Sequence, residues 1–402
     1  MLATIRFDGT VEPRGTKAAS IKGKLYRAEP GEVVYSKIDV RNGAIGIVPE
    51  SMPLVALTSE FPVYQIRKTQ AAPEYIKLLL RTSFFRRLIN SLISGASGRK
   101  RVQPSELESL SVPLPPLSIQ QEIVANWRGG IGEVKKLEEA AVNFQQMAAK
   151  KFLHGLGLVM PEHQAPQKIM AMRWSDLSRW GVAAASSRLH SSSVDGKFPS
   201  TSVGEIARSI QYGTSTKPNQ RGRGVPIIRM NNIKDGALDV SDLKFVEIAD
   251  PELERLRLHS GDILFNRTNS KELVGKCAVY RDIGTEAVFA SYLIRVRVDE
   301  ARALPEYVAF FLNGPLGRLQ INAASRQIIG QANINSVELR ALRVPLPPID
   351  RQKRIMAAVE ALAEKSSAAR GQANELRTRV EENVEMAILA RGGRGEWNSR
   401  AS

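Results

Sequence analysis

One cysteine, Cys277, stands in 402 residues, so an intrachain disulfide framework is excluded. The four histidines, His154, His163, His190 and His259, show no metal-ligand spacing, and a structural zinc site has little to draw on. No apolar run approaches the roughly 20 residues of a membrane span, and the N-terminus lacks the apolar stretch of a signal peptide. Missing too are the Gly-x-x-x-x-Gly-Lys-Ser/Thr phosphate loop, a Gly-x-Gly-x-x-Gly between strand and helix, and the Asn/Asp-Pro-Pro-Tyr/Phe segment of amino-methyltransferases. Glu133-Val134-Lys135 imitates a nuclease Glu-x-Lys but lies in the helical seam region with no convincing upstream acidic partner. Cys277 lies in the apolar stretch 274–280 and is expected to be a packed thiol, not a nucleophile. The chain is expected to bind without chemistry of its own, with no catalytic residue, metal or bound cofactor.

What is present is basic charge. Lys and Arg number 57 against 41 Asp and Glu, a net charge of +16. Such a balance favours a polyanionic partner, nucleic acid before an anionic membrane surface. With 43% hydrophobic and 24% charged residues, the composition is that of a globular, reduced, intracellular protein with two or three domains.

An internal repeat organises the chain. Val112-Pro113-Leu114-Pro115-Pro116-Leu117 recurs as Val344-Pro345-Leu346-Pro347-Pro348-Ile349, and Pro73-Glu74-Tyr75 recurs as Pro305-Glu306-Tyr307, both shifted by 232 positions. Gly31-Glu32-Val33-Val34-Tyr35 matches Gly261-Asp262-Ile263-Leu264-Phe265 with a shift of 230. Matches in one order with so small a slip indicate a tandem duplication. In each repeat a β-rich stretch runs into the proline segment, which is too proline-rich to be helical and aims a long helix. Strand patterns fall at 263–265, 287–290 and 293–298, and single helices are expected over 73–92 and 305–319. Only about thirty residues precede Gly31, whereas about ninety separate the end of the first helix from Gly261; the front of the first repeat is therefore expected to be shortened.

The second long helix, about 350–390, carries a near-heptad seam: Ile355, Val359, Leu362, Ser366, Ala369, Ala373, Leu376, Val380, Val384 and Ala387. The first, about 118–153, has a less regular stripe of Trp127, Val134, Leu137, Ala141, Phe144 and Ala148, where Gly129-Gly130 is expected to introduce a kink. Neither stripe is buried by a small domain alone, and mutual antiparallel packing is the economical solution.

Basic residues cluster in loops with Asn and Gln. The segment 206–230 holds Arg208, Lys217, Arg221, Arg223 and Arg229 and no acid, with Tyr212 at the head of its loop and Asn231 just after it. Further clusters are Arg267-Thr268-Asn269-Ser270-Lys271, and Arg326-Gln327 with Gln331, Asn333 and Asn335. In the first repeat, 81–101 contains six basic residues, including Arg99-Lys100-Arg101. Such loops can follow phosphates, and arginine and asparagine can also reach guanine and adenine edges.

Together, the repeat, the proline connectors and the long helices resemble the specificity subunit of type I restriction–modification enzymes. The motifs are Gln211-Tyr212-Gly213-Thr214, Pro226-Ile227-Ile228-Arg229-Met230, the run 261–270, Leu273-Val274-Gly275-Lys276 and Gln331-Ala332-Asn333-Ile334-Asn335. In the first repeat the resemblance rests on 30–44, which supplies Lys37, Arg41 and Asn42 as DNA contacts. It implies an α+β fold with two tandem β-rich target-recognition domains, 1–116 and 170–348, separated by spacer helices 117–157 and 349–392 that form an antiparallel coiled coil. It also implies a cytoplasmic, non-catalytic subunit that reads a split double-stranded DNA target. Two methyltransferase subunits would dock on it, and restriction/translocase subunits would join; S-adenosylmethionine, ATP and magnesium would belong to those partners. Alternatives are a docking protein in which one domain alone contacts DNA, and a stand-alone enzyme.

Overall fold

The computed structural model describes residues 2–15, 24–92, 101–159, 196–328, 331–391 and 394–396. The chain forms two compact units, Met1–Ala141 with Ser367–Ser402, and Val142–Ser366. Each takes part of both long helices, which run over Leu117–Gly155 and Ile349–Arg391. The unit boundaries therefore fall inside the helices, because the two halves of each helix join different cores.

In the first unit, Val33–Tyr35 is the centre of a three-stranded antiparallel sheet with Ile45–Ile47 and Val63–Tyr64. Its side chains alternate between two cores, as a strand's period of two dictates. Val33 and Tyr35 pack with Tyr75, Phe85 and Ile89; Val34 packs with Ala28, Val55 and Leu57. The connector between Val33–Tyr35 and Ile45–Ile47 ends in a single 3-10 turn, Val40–Asn42. Gly43, at φ 99°, closes that turn, a conformation costly for any residue with a Cβ.

The second unit repeats this plan and enlarges it. Ala207–Tyr212, Leu293–Val298, Ile263–Asn266 and Cys277–Val279 form a four-stranded antiparallel sheet in that order. Ile263 and Phe265 enter the main core, while Leu264 enters a second core beneath a mixed sheet of Lys244–Val246, Val225–Ile228 and Val288–Phe289. A further sheet joins Thr268–Asn269, Gln331–Asn333 and Arg326–Ile328.

Two expected helices are each broken in two. Instead of 73–92, helices run over Pro73–Leu79 and Ser83–Ser91, because the Thr82 hydroxyl accepts the Phe85 N–H and caps a new start. Instead of 305–319, they run over Pro305–Asn313 and Pro315–Ala324, where Gly314 is extended and Pro315 begins the second. Conversely, the first long helix continues through Gly129-Gly130 without interruption. A Cβ on Gly130 would come within 2.4 Å of a Val380 methyl, so this glycine lets the helices approach closely and is not a break.

Within the first unit, Glu122 meets Arg391 at 2.8 Å and Glu138 meets Arg377 at 2.8 Å. Within the second, Phe152 packs on Tyr307 and Phe310, and Arg351 donates to the Gly155 carbonyl at 3.3 Å. In the first unit residue numbers therefore rise along one helix as they fall along the other. Val134, Ala141, Ala148, Val359, Ala369, Ala373 and Val380 are buried, and Trp127, Leu137, Phe144, Leu362 and Leu376 half-buried. Among the described residues no helix is long and apolar enough to cross a membrane.

Candidate nucleic-acid interface

In the second unit, segments distant in sequence converge at one end of the four-stranded sheet. The Arg267 guanidinium lies over the Tyr212 ring, 5.0 Å from its centroid. That stacking, worth about 0.5–2 kcal/mol, holds a flexible cation in one place. The Tyr212 hydroxyl accepts the Ser336 N–H at 2.8 Å, and the Arg267 carbonyl accepts the Ile334 N–H at 2.9 Å. Asn269 touches the Met230 sulfur at 3.6 Å, which brings in the turn that carries Asn231. The Thr268 hydroxyl donates to Asn333 Oδ1 at 2.6 Å. Thus Tyr212, Asn231, Arg267 and Asn269 gather with the strand Gln331–Asn333, and Arg326 and Gln327 lie on the strand beside it.

The loop after Tyr212 leaves Lys217, Arg221 and Arg223 exposed. Asn219 shapes it: its Oδ1 accepts the Arg221 N–H at 2.9 Å and its Nδ2 donates to the Arg223 carbonyl at 3.0 Å. Lys271 is exposed as well, and Arg318 donates to its carbonyl.

Arg229 is turned inward, its side chain 17% exposed, and it donates to the Asp242 carbonyl at 3.3 Å. Asn335 caps the helix Ser336–Ala341. Their chemistry is largely spent inside the protein, which residue type alone does not reveal. Sequence patterning passes over Tyr292. It is 53% exposed, and its carbonyl accepts the Arg267 N–H at 3.0 Å. The signal that could have found it is an aromatic residue just ahead of the apolar strand Leu293–Val298.

In the first unit, Lys37, Arg41 and Asn42 occupy the connector that corresponds to the one bearing Arg267, Asn269 and Lys271. Arg41 and Asn42 are exposed and Lys37 half-buried. Arg101 pairs with Glu60 at 3.0 Å, and the Lys37 N–H donates to the Glu60 carbonyl at 3.0 Å. Arg99 and Lys100 lie outside the described residues.

Burial pushes the Cys277 thiol up to about 12. Among the described residues no group of three or more His, Cys, Asp or Glu side chains could hold a metal ion.

The family model for the type I restriction modification DNA specificity domain matches residues 14–126 and again 197–378. The chain belongs to the family of type I restriction–modification specificity subunits. Among specificity subunits, it is 28% identical over 332 residues to that of the type I restriction enzyme EcoKI from Escherichia coli K12, and 25% identical over 330 residues to that of StySPI from Salmonella potsdam. These matches take in 81% and 82% of the chain, which spans 66% of the length of each relative. A solved chain from work on complex assembly and conformational transition of the type I R-M system shares the fold, with a TM-score of 0.54 and 16% identity. The overlap covers 92% of this chain and 84% of that one.

Proposed function

We propose that this specificity subunit reads a split double-stranded DNA sequence, one half with each unit, and carries out no catalysis itself. The observation that carries this is the gathering of Tyr212, Arg267 and Asn269 beside an exposed loop bearing Lys217, Arg221 and Arg223. A stacked arginine and amide groups suit base edges, and exposed cations suit phosphates. Lys37, Arg41 and Asn42 serve the other half in the corresponding place. The two long helices act as an antiparallel coiled-coil spacer, supported by the order of contacts within the first unit and by the buried seam residues.

In this reading two methyltransferase subunits dock on the chain in the cytoplasm and supply S-adenosylmethionine chemistry, and restriction/translocase subunits add ATP- and magnesium-dependent steps. The test is to map methylated adenines in a host carrying the chain with its partner subunits. A two-part motif with a fixed gap is expected. An undivided motif, or methyl transfer by the purified chain alone, overturns the proposal.

A further inference from the structure

At the root of each long helix, one buried side chain repeats atom for atom. Gln120 is fully buried; its Oε1 accepts the Ala72 N–H at 2.8 Å, and its Nε2 donates to the carbonyls of Gln70 at 2.8 Å and Pro115 at 2.7 Å. Gln352, 232 positions later and also fully buried, accepts the Leu304 N–H at 2.9 Å and donates to Arg302 at 2.9 Å and Pro347 at 2.8 Å. Beside each, a tyrosine hydroxyl bonds the same proline connector: Tyr75 to the Pro113 carbonyl at 2.9 Å, Tyr307 to that of Pro345 at 2.7 Å.

Each amide ties three segments together: the loop ahead of the first short helix, the proline connector and the first turn of the long helix. A primary amide offers the one acceptor and two donors these backbone groups require. We propose that Gln120 and Gln352 are positioning residues that fix the direction of each long helix on its own unit, and so hold the gap in the DNA target to a single length. The proposal rests on the split-target reading above. Its physical basis is leverage. A helix of 39 residues is about 58 Å long. A tilt of about 5° at its root moves the far end by about 5 Å, more than the roughly 3.4 Å of one base-pair step. Packing of aliphatic side chains tolerates slides of that size more readily than three directional bonds do.

The experiment replaces Gln120→Met and Gln352→Met, singly and together, in the full chain co-produced with its partner subunits. Methylated adenines are mapped across the host genome and thermal stability is measured in parallel. Expected are unchanged half-site bases with relaxed spacing: discrimination against gaps one base pair longer or shorter falls about tenfold, the scale of one buried hydrogen bond. The pair Tyr75→Phe with Tyr307→Phe removes a single bond per junction and should shift spacing in the same direction, less far. It decides the matter if the methionine variants lose all methylation. One retained gap length, with methylation full or merely reduced, overturns the proposal and leaves the glutamines with stability alone. An undivided motif from the unaltered chain overturns the split-target reading itself, a separately visible result.

Discussion

The two units agree where a helix is attached and differ where DNA would be met. At the helix root the glutamine, the tyrosine, the proline strand and even the box capping the short helix before it (Gln103 with Glu106, Asn335 with Glu338) recur at the same interval. At the other end the second unit adds a mixed sheet with its own core and the small sheet that assembles Arg267 with Asn333. The first has, in the described residues, two two-stranded sheets, Ala3–Ile5 with Val11–Pro13 and Tyr26–Ala28 with Val55–Leu57, over a smaller second core. Under the split-target proposal, a duplicated chain that presents two different surfaces on one frame keeps the frame and varies the surface.

The largest expected effect exploits a position where the frame itself diverges. Asp262 Oδ2 accepts the His259 N–H, as Glu32 Oε2 accepts the Glu29 N–H, in equivalent turns. Only Asp262 is also buried, bonded to Arg297 at 2.6 Å and 3.7 Å from the buried Arg295. Asp262→Ala leaves two guanidinium groups without their carboxylate and should cost about 3–5 kcal/mol. Glu32→Ala removes one partly exposed bond and should cost about 0.5–1.5 kcal/mol. Calorimetric unfolding of both variants checks this; equal losses would mean the ion pair contributes nothing beyond the turn.

That contrast also marks the limit of what the sequence makes legible. Gly31-Glu32-Val33 and Gly261-Asp262-Ile263 align at sight, so the repeat and the central strands are readable. Nothing local in Asp262 announces arginines 33 and 35 residues further on, because their meeting depends on strand pairing between Ile263–Asn266 and Leu293–Val298. The long helices are readable because a three-four spacing is a property of neighbours in sequence, and Leu117–Gly155 and Ile349–Arg391 lie within two residues of the expected limits. The breaks at Thr82 and Gly314 pass unnoticed because apolar periodicity continues across them. Within the candidate site, residue types are readable but partnerships are not: Arg229 and Arg267 look alike in sequence, yet one is drawn inward to Asp242 and the other lies on Tyr212.

Next in size is the difference in how each unit meets DNA. Arg267→Ala should weaken binding about 10–100-fold, the range of one good bidentate base pairing, and relax base choice in one half of the motif alone. Arg41→Ala should relax the other half. Methylated motifs of the two variants make the comparison. Relaxation of the same half by both would show that the corresponding connectors do not serve separate half-sites.

A smaller, sequence-independent change is expected from the loop. Neutralising Lys217, Arg221 and Arg223 together should lower affinity for all duplexes alike. It should also reduce the slope of log affinity against log salt by about 0.9 for each DNA phosphate that is no longer neutralised. Titrations of the variant and the unaltered chain over a range of salt measure it. An unchanged slope with altered base preference would turn these residues from phosphate followers into base readers.

The smallest effect separates the two roles of Tyr212. Its ring supports Arg267, and its hydroxyl accepts the Ser336 N–H. Tyr212→Phe keeps the ring and removes the bond; at a site 37% exposed, water replaces much of it. DNA affinity should then fall by less than about threefold, below the usual net worth of a hydrogen bond. Tyr212→Leu removes the aromatic face, leaves the guanidinium with a long bond to the Ser291 carbonyl at 3.4 Å, and should approach the effect expected for Arg267→Ala. Binding titrations of the three variants on one duplex rank them. If Phe and Leu weaken binding equally, the hydroxyl and the helix it steadies matter, and the stacked arginine is not what distinguishes the second unit from the first.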